Sequence, residues 1–177
     1  CYDDAEQVGI YKEMEKNLEG YYRSVREVLH ACRQSADFGK GIHGALAQLI
    51  KVDKKYETAI EITLCSSLQN IVTESEEDAK RAIEFLKKNK MGRATFLPIS
   101  SVKGKSFDTN TLNRIKKCEG FCGIASELVT AESSYSGIIT SLLGKVIVVD
   151  KLDNAIKIAR TFGYSFRIVT LEGDLLN

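Results

Sequence analysis

The first feature of the chain is a seven-residue repeat of apolar positions near its amino end. Between Tyr11 and Cys32 the larger apolar residues recur at alternating steps of three and four, at positions 11, 14, 18, 21, 25, 28 and 32. This spacing is typical of one side of a coiled-coil helix, here about 33 Å long at 1.5 Å per residue. The chain contains no second run of this kind. We therefore expect the partner helix to come from another chain or from the returning arm of a longer protein, and the alternative is an ordinary amphipathic helix packed on the domain.

The rest of the chain repeats itself. At a constant offset of 79 positions, the matched residues are Gly44 and Gly123, Gln48-Leu49-Ile50 and Glu127-Leu128-Val129, Tyr56 and Tyr135, Ile60 and Ile139, and Leu64 and Leu143. After a three-residue deletion, Ile71-Val72 matches Ile147-Val148, and the stripe Ala79, Ile83, Leu86 matches Ala155, Ala159, Phe162. Each copy then closes with a strand, Arg93–Leu97 or Arg167–Leu171. An internal repeat of this length predicts two copies of one structural unit.

The repeat also resolves whether the segment around Ile60 is a strand or a helix. Taken alone, 58–64 alternates apolar and polar residues, which favours a strand. The residues shared by both copies, however, are spaced by four, which favours a helix in each. Gly144 stands where a helix would need a left-handed residue, and Cys65 occupies the matching position in the first copy, so we expect the two helices to end differently.

These patterns predict an α+β (mixed α/β) fold of two internally duplicated subdomains preceded by a coiled-coil helix. The predicted boundaries are 1–37 for the end of the coiled-coil arm, 38–98 for subdomain I, 99–119 for a basic linker and 120–177 for subdomain II.

Charge is distributed unevenly along the chain. The whole chain of 177 residues has a formal net charge of +1, yet residues 80–117 contain 11 basic and 2 acidic residues. Such a segment could meet a polyanion, or it could be a solvated helix face and loop. The longest apolar run has four residues, Val146–Val149, so we expect no membrane span and a cytoplasmic protein.

The motifs that suggest chemistry do not complete a site. Gly39–Gly44 spells GxGxxG, but a helix precedes it and a strand follows, which reverses the order of a dinucleotide-binding loop. The five cysteines include one CxxxC pair, Cys118 and Cys122, without a second pair or a nearby histidine. His30 and His43 have no partner at a recognisable spacing. We therefore predict no catalytic residue, no metal site and no cofactor.

Several strings of the chain resemble the hinge domain of SMC (structural maintenance of chromosomes) proteins. They are Gly41–Gly44, Tyr56–Ile60 with Leu64, Leu68–Val72, Phe85–Lys88, Gly92–Pro98 and Arg167–Asp174. The resemblance covers about 41–174 and is strongest to bacterial SMC. It implies a non-catalytic dimerisation module between two halves of an antiparallel coiled coil, in a cytoplasmic, nucleoid-associated ATPase whose ATP-binding heads lie elsewhere. Heptads 11–32 then resemble the end of one arm, which without its returning helix should expose Tyr11, Met14, Leu18, Tyr21 and Val25.

The resemblance also implies partners and residues. Hinges of this family join into a two-fold dimer through the edges of their subdomains, and a basic surface contacts DNA without sequence preference; kleisin and accessory subunits bind the parent protein elsewhere, and no membrane is involved. The implied dimer residues are Gly92, Arg93, Thr95, Gly173, Asp174 and Leu175. The implied DNA-binding residues are Lys87, Lys88, Lys90 and Arg93, with Lys80, Arg81, Lys103 and Lys105 contributing less. Because the family continues past Leu175 with a Pro/Gly-rich stretch, we expect this fragment to dimerise weakly or not at all.

Three functions are therefore compared. The first is a homodimerising hinge that binds DNA, and the second is a purely architectural dimerisation module whose lysines only keep it soluble. The third is a small-ligand α/β domain that uses the glycines of 39–44.

Overall fold

The computed structural model describes Leu18 and residues 20–177, which form two compact units. The first unit comprises the described residues up to Ile50 together with Ser66–Val102, and the second comprises Lys51–Cys65 together with Lys103–Asn177. No helix in the part of the chain that the structure describes is long and apolar enough to cross a membrane.

The first unit packs helices on a three-stranded sheet. The sheet order is β1-β3-β4, with β1 antiparallel and β4 parallel to the central strand. Its elements are α1 (Arg23–Gln34), α2 (Ala36–Gly39), β1 (Ile42–Ala45), α3 (Leu46–Leu49), β3 (Ile71–Thr73), α5 (Glu76–Lys88) and β4 (Phe96–Pro98). Helix α1 contacts β1 and α5. Buried side chains from these elements form the core, including Val25, Val28, Leu46, Ile71, Val72 and Leu86.

The second unit contains a four-stranded sheet, β5-β7-β8-β9, and a two-stranded antiparallel ribbon, β2-β6. Its elements are β2 (Lys51–Val52), α4 (Lys54–Leu64), α6 (Thr109–Lys116), β5 (Phe121–Ile124), β6 (Val129–Thr130), α7 (Ser136–Leu143), β7 (Val146–Val149), α8 (Leu152–Thr161), β8 (Arg167–Thr170) and β9 (Leu175–Leu176). The core includes Ile115, Ile147, Val149, Ala155, Ile158 and Ile168, with Phe107, Phe162 and Phe166 packed against it.

The predicted duplication is confirmed by the strand topology. In each copy an antiparallel strand and a parallel strand flank a central strand, β3 or β7. Both antiparallel pairs contain a β-bulge at the same place, between Ile42 and Gly44 and between Phe121 and Gly123. The backbone contacts that follow the central strands also match: Glu74 N donates to Gly41 O at 2.7 Å and Asp150 N to Gly120 O at 2.9 Å.

The helices around Ile60 and Ile139 are confirmed, and they end differently. The first copy forms α4, and the second forms a 3-10 turn, Ser133–Tyr135, that continues into α7. The prediction that Gly144 adopts the left-handed conformation is wrong, because its φ is −69°. Cys65, at the matching position of the first copy, has a positive φ of 48°. Gly144 is needed for space rather than for conformation, since a Cβ there would overlap the carbonyl oxygens of Lys105 and Thr140.

The compact units differ from the predicted boundaries in three places: α1 belongs to the first unit rather than to a separate arm, 51–65 belongs to the second unit, and the predicted linker 99–119 is divided between the two units after Val102. Strand β2 pairs with β6, and α4 contacts β8, so 51–65 packs with the second half of the chain. The closing strand of the first copy is also shorter than predicted, because β4 begins at Phe96. The Arg93 carbonyl accepts a hydrogen bond from Ser24 Oγ at 2.6 Å instead of pairing with a strand.

The predicted continuous helix 11–32 is only partly found. Residues 11–17 and 19, and with them Tyr11 and Met14, lie outside the described residues. Leu18 has φ 59°, Tyr21 N donates to Leu18 O at 3.4 Å, and α1 begins only at Arg23. The expected exposure of Leu18, Tyr21 and Val25 is wrong, because at least 95% of each residue is buried. In this part of the chain the apolar stripe therefore belongs to the core of the domain.

Candidate nucleic-acid interface

Helix α5 carries most of the predicted basic residues, and its sequence explains its bounds. Ser75 and Asp78 form a capping box: Ser75 Oγ accepts from Asp78 N at 3.3 Å, and Asp78 Oδ2 accepts from Ser75 N at 3.2 Å. Burial alone would raise the pKa of Asp78, but hydrogen bonds from Ser75 and Arg81 and the Arg81 charge outweigh it and hold the pKa below its usual value. Acidic residues in the first turn and lysines in the last complement the helix dipole.

A turn after α5 brings three cations to one surface. Lys90 N donates to Lys87 O at 3.3 Å, and Lys90 adopts the left-handed conformation with φ 51°. As a result Lys87, Lys90 and Arg93 line one depression of about 450 Å³. We call this surface the basic depression, and its lining is Ile83, Leu86, Lys87, Lys90, Gly92, Arg93 and Ala94. The three cationic side chains form no ion pair with another described residue.

The buried apolar residues of α5 differ in one position from the predicted stripe Ala79, Ile83, Leu86. Ala79 and Leu86 are buried as expected, but Ile83 is 37% exposed and Ala82 takes the buried place. Ile83 and Lys87 also line a second depression beside β4, together with Lys80, Glu84 and Phe96. Lys80 Nζ lies 4.0 Å from Glu84 Oε1 and both side chains are well exposed, so this ion pair stabilises little.

Arg81 differs from the other predicted DNA-binding residues because most of its N–H donors are occupied within the protein. Its guanidinium donates to the carbonyl oxygens of Phe38 and Lys40, and Nη1 lies 3.0 Å from Asp78 Oδ1. Arg81 therefore holds the chain at the end of α2 against α5. Its charge still adds to the local potential, but four of its five N–H donors are already used within the protein.

The remaining predicted DNA-binding residues line neither of these two depressions. Lys88 is exposed but lines neither depression. Lys103 and Lys105 are exposed residues of the second unit, where Lys105 N donates to Thr140 O at 3.4 Å. The cations that the structure gathers are thus Lys87, Lys90 and Arg93, with Lys80 beside them.

Sequence reasoning missed a polar depression that shares Arg93 with the basic depression. We call it the Tyr22 depression; it has a volume of about 430 Å³ and is lined by Tyr22, Val25, Ser66, Gln69, Asn70, Arg93, Ala94 and Thr95. Tyr22 lies just before α1 and is 58% exposed. No sequence pattern predicts this grouping, because three separate segments of the chain form it.

The predicted dimer residues fall into two groups. Gly92, Arg93 and Thr95 lead into β4, whose outer edge pairs with no strand among the described residues. Gly173 and Asp174 form the turn before β9, where Thr170 Oγ1 donates to Asp174 Oδ2 at 2.8 Å. Leu175 lies in β9, which covers the outer edge of β8. The edge is therefore covered in the second sheet and open in the first.

The residues of the motifs that suggested chemistry in the sequence have structural contacts of their own. Gly39 ends α2, and a Cβ at Gly41 would overlap the Asp78 carboxylate, so the glycines serve backbone packing. His43 Nε2 lies 2.8 Å from Glu74 Oε2. Burial raises the pKa of the Cys32 thiol against the opposing charge of Arg81. Among residue 18 and residues 20–177, no group of three or more metal-ligating side chains comes together.

Comparison with known proteins gives a family match over most of the chain and a consistent set of relatives. Residues 39–159 match the family described as "SMC proteins Flexible Hinge Domain". The chain is 42% identical over 164 residues to "Chromosome partition protein Smc" of Bacillus subtilis, covering 93% of this chain and 14% of that protein. It is 44% identical over 170 residues to the protein of the same name from Halothermothrix orenii, covering 96% and 14%. The chain thus spans about one seventh of the length of these relatives.

Solved structures agree in fold. The chain is similar to an asymmetric dimer of the Geobacillus stearothermophilus SMC hinge domain, with a TM-score of 0.87 and 42% identity over 95% of this chain and 65% of that one. It is also similar to the Pyrococcus furiosus SMC protein hinge domain, with a TM-score of 0.71 and 31% identity over 95% of this chain and 81% of that one.

Proposed function

The chain belongs to the SMC flexible hinge domain family, and we propose that it joins two coiled-coil arms of a chromosome-partition SMC protein by homodimerising and that it binds DNA through its basic surface. Within such a parent protein the ATPase heads and the sites for kleisin and accessory subunits lie outside this chain. The hinge itself carries no catalysis and no cofactor, and the parent protein works on the nucleoid in the cytoplasm.

Two observations support homodimerisation. The similar hinge from Geobacillus stearothermophilus is itself a dimer. In this chain the outer edge of β4 pairs with no strand within the described residues, and an open strand edge offers unpaired backbone groups to another chain. We propose a two-fold arrangement in which the first subdomain of one copy faces the second subdomain of its mate, so that the same patch is used twice.

One observation carries the DNA-binding part of the proposal. Lys87, Lys90 and Arg93 line the same depression, and none of them forms an ion pair with a described residue. Cations without an internal partner are available for phosphate oxygens, and lysine contacts to phosphate give affinity without reading sequence. We expect sequence-independent binding with a dissociation constant of roughly micromolar or weaker.

Charge reversal tests this function. Changing Lys87→Glu together with Lys90→Glu should remove most DNA binding and make the slope of log K against log salt shallower by about 0.7–0.9 for each phosphate that the variant no longer neutralises. The control is Lys116→Glu with Lys117→Glu, two exposed lysines at the end of α6 that change the net charge equally. Fluorescence anisotropy measures affinity, and circular dichroism confirms folding.

Each outcome of this experiment has a distinct meaning. Weaker binding confined to the Lys87 and Lys90 pair supports a local site. Equally weakened binding in both double variants would mean that only net charge matters. Wild-type affinity and salt slope in the Lys87 and Lys90 pair would favour the purely architectural dimerisation module.

A further inference from the structure

The start of α1 is tied to the ends of two neighbouring strands of the first sheet. Tyr22 N donates to Gln69 Oε1 at 2.6 Å, and Ser24 Oγ donates to the carbonyl oxygen of Arg93 at 2.6 Å. Gln69 lies two residues before β3, and Arg93 lies three residues before β4. Because β3 and β4 are parallel, both bonds are made at the same end of the sheet. We call these two hydrogen bonds the α1 clamp.

Each bond of the α1 clamp involves a buried side chain. Ser24 is 5% exposed and Gln69 is 9% exposed. A polar group in such a place that loses its hydrogen-bond partner is left unsatisfied, which lowers stability. The backbone beside Arg93 also lies against α1, since a Cβ at Gly92 would be 3.8 Å from Ser24 Cβ. The position of the chain before β4 therefore depends on α1.

The segment that the clamp holds leads directly to the open edge of β4, which pairs with no strand among the described residues. Residues 91–95 run between α5 and β4 with an irregular backbone. Their ends are held by backbone hydrogen bonds: Met91 N donates to Leu86 O at 3.0 Å, and Thr95 O accepts from Ile71 N at 2.9 Å. The α1 clamp holds the middle of this segment, where the predicted dimer residues lie.

We propose that the α1 clamp sets the position of the open β4 edge, so that self-association of the hinge depends on how the chain enters α1. Ser24 and Gln69 are the positioning residues. With the clamp formed, the edge is ordered before a second copy arrives. With the clamp broken, the segment before β4 gains conformational freedom that association must remove. This inference rests on the proposed homodimerisation through the β4 edge, and it adds a route by which the predicted heptads 11–32, which lead into α1, act on the dimer.

Removal of the Ser24 hydroxyl tests the clamp with two measurements on the whole chain. Ser24→Ala should speed amide hydrogen exchange across 91–99 by roughly 2- to 10-fold, the range expected for one net hydrogen bond, and leave β7 and β8 unchanged. In sedimentation equilibrium it should raise the dimer dissociation constant by at least about fourfold, because a two-fold dimer uses the edge of each copy and the effect counts twice. Ser24→Thr keeps the hydroxyl and should return both values towards those of the wild type.

A matched control separates this role from a general loss of stability. Thr63→Ala removes another buried hydroxyl, which belongs to the second unit and donates to Ala59 O at 2.8 Å within α4. It removes the same kind of hydrogen bond away from the β4 edge. The exchange rates of 91–99 and the dimer dissociation constant should therefore stay within about twofold of the wild-type values.

The other bond of the clamp is tested at the backbone. Tyr22 has φ −58°, which proline adopts, and proline has no N–H to donate to Gln69. Tyr22→Pro should therefore act like Ser24→Ala on both exchange and association. Tyr22→Ala removes the same side chain but keeps the N–H, so it should act like the wild type.

The outcomes separate this inference from the proposed function. Faster exchange and weaker association in Ser24→Ala and Tyr22→Pro, with their controls unchanged, would support the clamp. Unchanged exchange across 91–99, or equal weakening of association by Thr63→Ala, would overturn it. If these variants associate like the wild type while Thr95→Glu does not, the edge mediates the dimer without the clamp. If the wild-type chain stays monomeric at every concentration, the proposed homodimerisation fails as well.

Discussion

The guanidinium of Arg81 donates two hydrogen bonds to the carbonyl oxygen of Phe38, from Nε at 3.2 Å and from Nη2 at 3.1 Å. The two residues are 43 positions apart, and the contact joins α5 to the end of α2. A third nitrogen of the same side chain pairs with Asp78. Arg81 is therefore primarily a structural cation, although the sequence places it in a run of basic residues.

Removal of Arg81 should lower stability. Arg81→Ala leaves the Phe38 carbonyl and the Asp78 carboxylate without these donors, so we expect the free energy of unfolding to fall by about 1–3 kcal/mol. Lys80→Ala is the control, because its only described ion pair is exposed and long, and it should change stability by less than about 0.5 kcal/mol. Urea denaturation followed by circular dichroism gives both values; similar values for the two variants would contradict the structural role.

Gly144 should be intolerant of a side chain. Gly144→Ala places a Cβ against the backbone carbonyls of Lys105 and Thr140, and backbone atoms cannot move aside cheaply, so we expect stability to fall by roughly 2–3 kcal/mol. Gly163→Ala is the contrasting case: it has φ 63° and no neighbouring atom within 4 Å, so only conformational strain of about 1 kcal/mol is expected. Thermal melting would refute the steric argument if the first variant were the more stable one.

Glu61 should make stability depend on pH. Burial, the nearby Glu57 charge and a hydrogen bond with Glu57 raise the pKa of Glu61 to about 7 from 4.5. Between these values the folded state binds more protons than the unfolded state, so stability should fall as pH rises from about 5 to 7 and then level off. Because Glu61 is partly exposed, screening should limit the change to the order of 1 kcal/mol.

Replacement of Glu61 checks this pH dependence. Glu61→Gln should flatten the profile and be more stable than the wild type at pH 8, since the amide can donate to Glu57 without carrying a charge. Glu132→Gln, near the surface of the second unit, is the control and should leave the profile unchanged. Urea midpoints measured from pH 5 to pH 8 would reject the assignment if Glu61→Gln kept the wild-type slope.

The open edge of β4 should mediate self-association. Thr95 is exposed beside this edge and contributes only its carbonyl to β3, where it accepts from Ile71 N at 2.9 Å. Thr95→Glu in both copies would bring charges to the proposed interface, so we expect the dimer dissociation constant to rise at least about tenfold. Thr109→Glu, also exposed, is the control. Sedimentation equilibrium over a concentration series would exclude this edge if both variants associated like the wild type.

The sequence by itself determined the duplication, the element types and the exposure of Lys87 and Lys88. These features follow from local patterns: apolar residues at helical spacing must share a face, and the same pattern repeated at one offset predicts the same unit twice. The matching bulges at Ile42–Gly44 and Phe121–Gly123 show how far this local information reaches. Resemblance to a known family then supplied the dimer and DNA roles that no pattern could specify.

Only the tertiary structure decided which side chains are available. Arg81 and Lys87 look alike in sequence, yet one is held by Phe38 and the other lines a depression. The heptad residues Leu18 and Tyr21 could have faced a partner helix, but a turn buries them. Burial and hydrogen bonding depend on residues far away in the chain: Ser24 and Arg93 meet across 69 positions. A local pattern contains no information about such partners, which is why the Tyr22 depression appears only when the chain is folded.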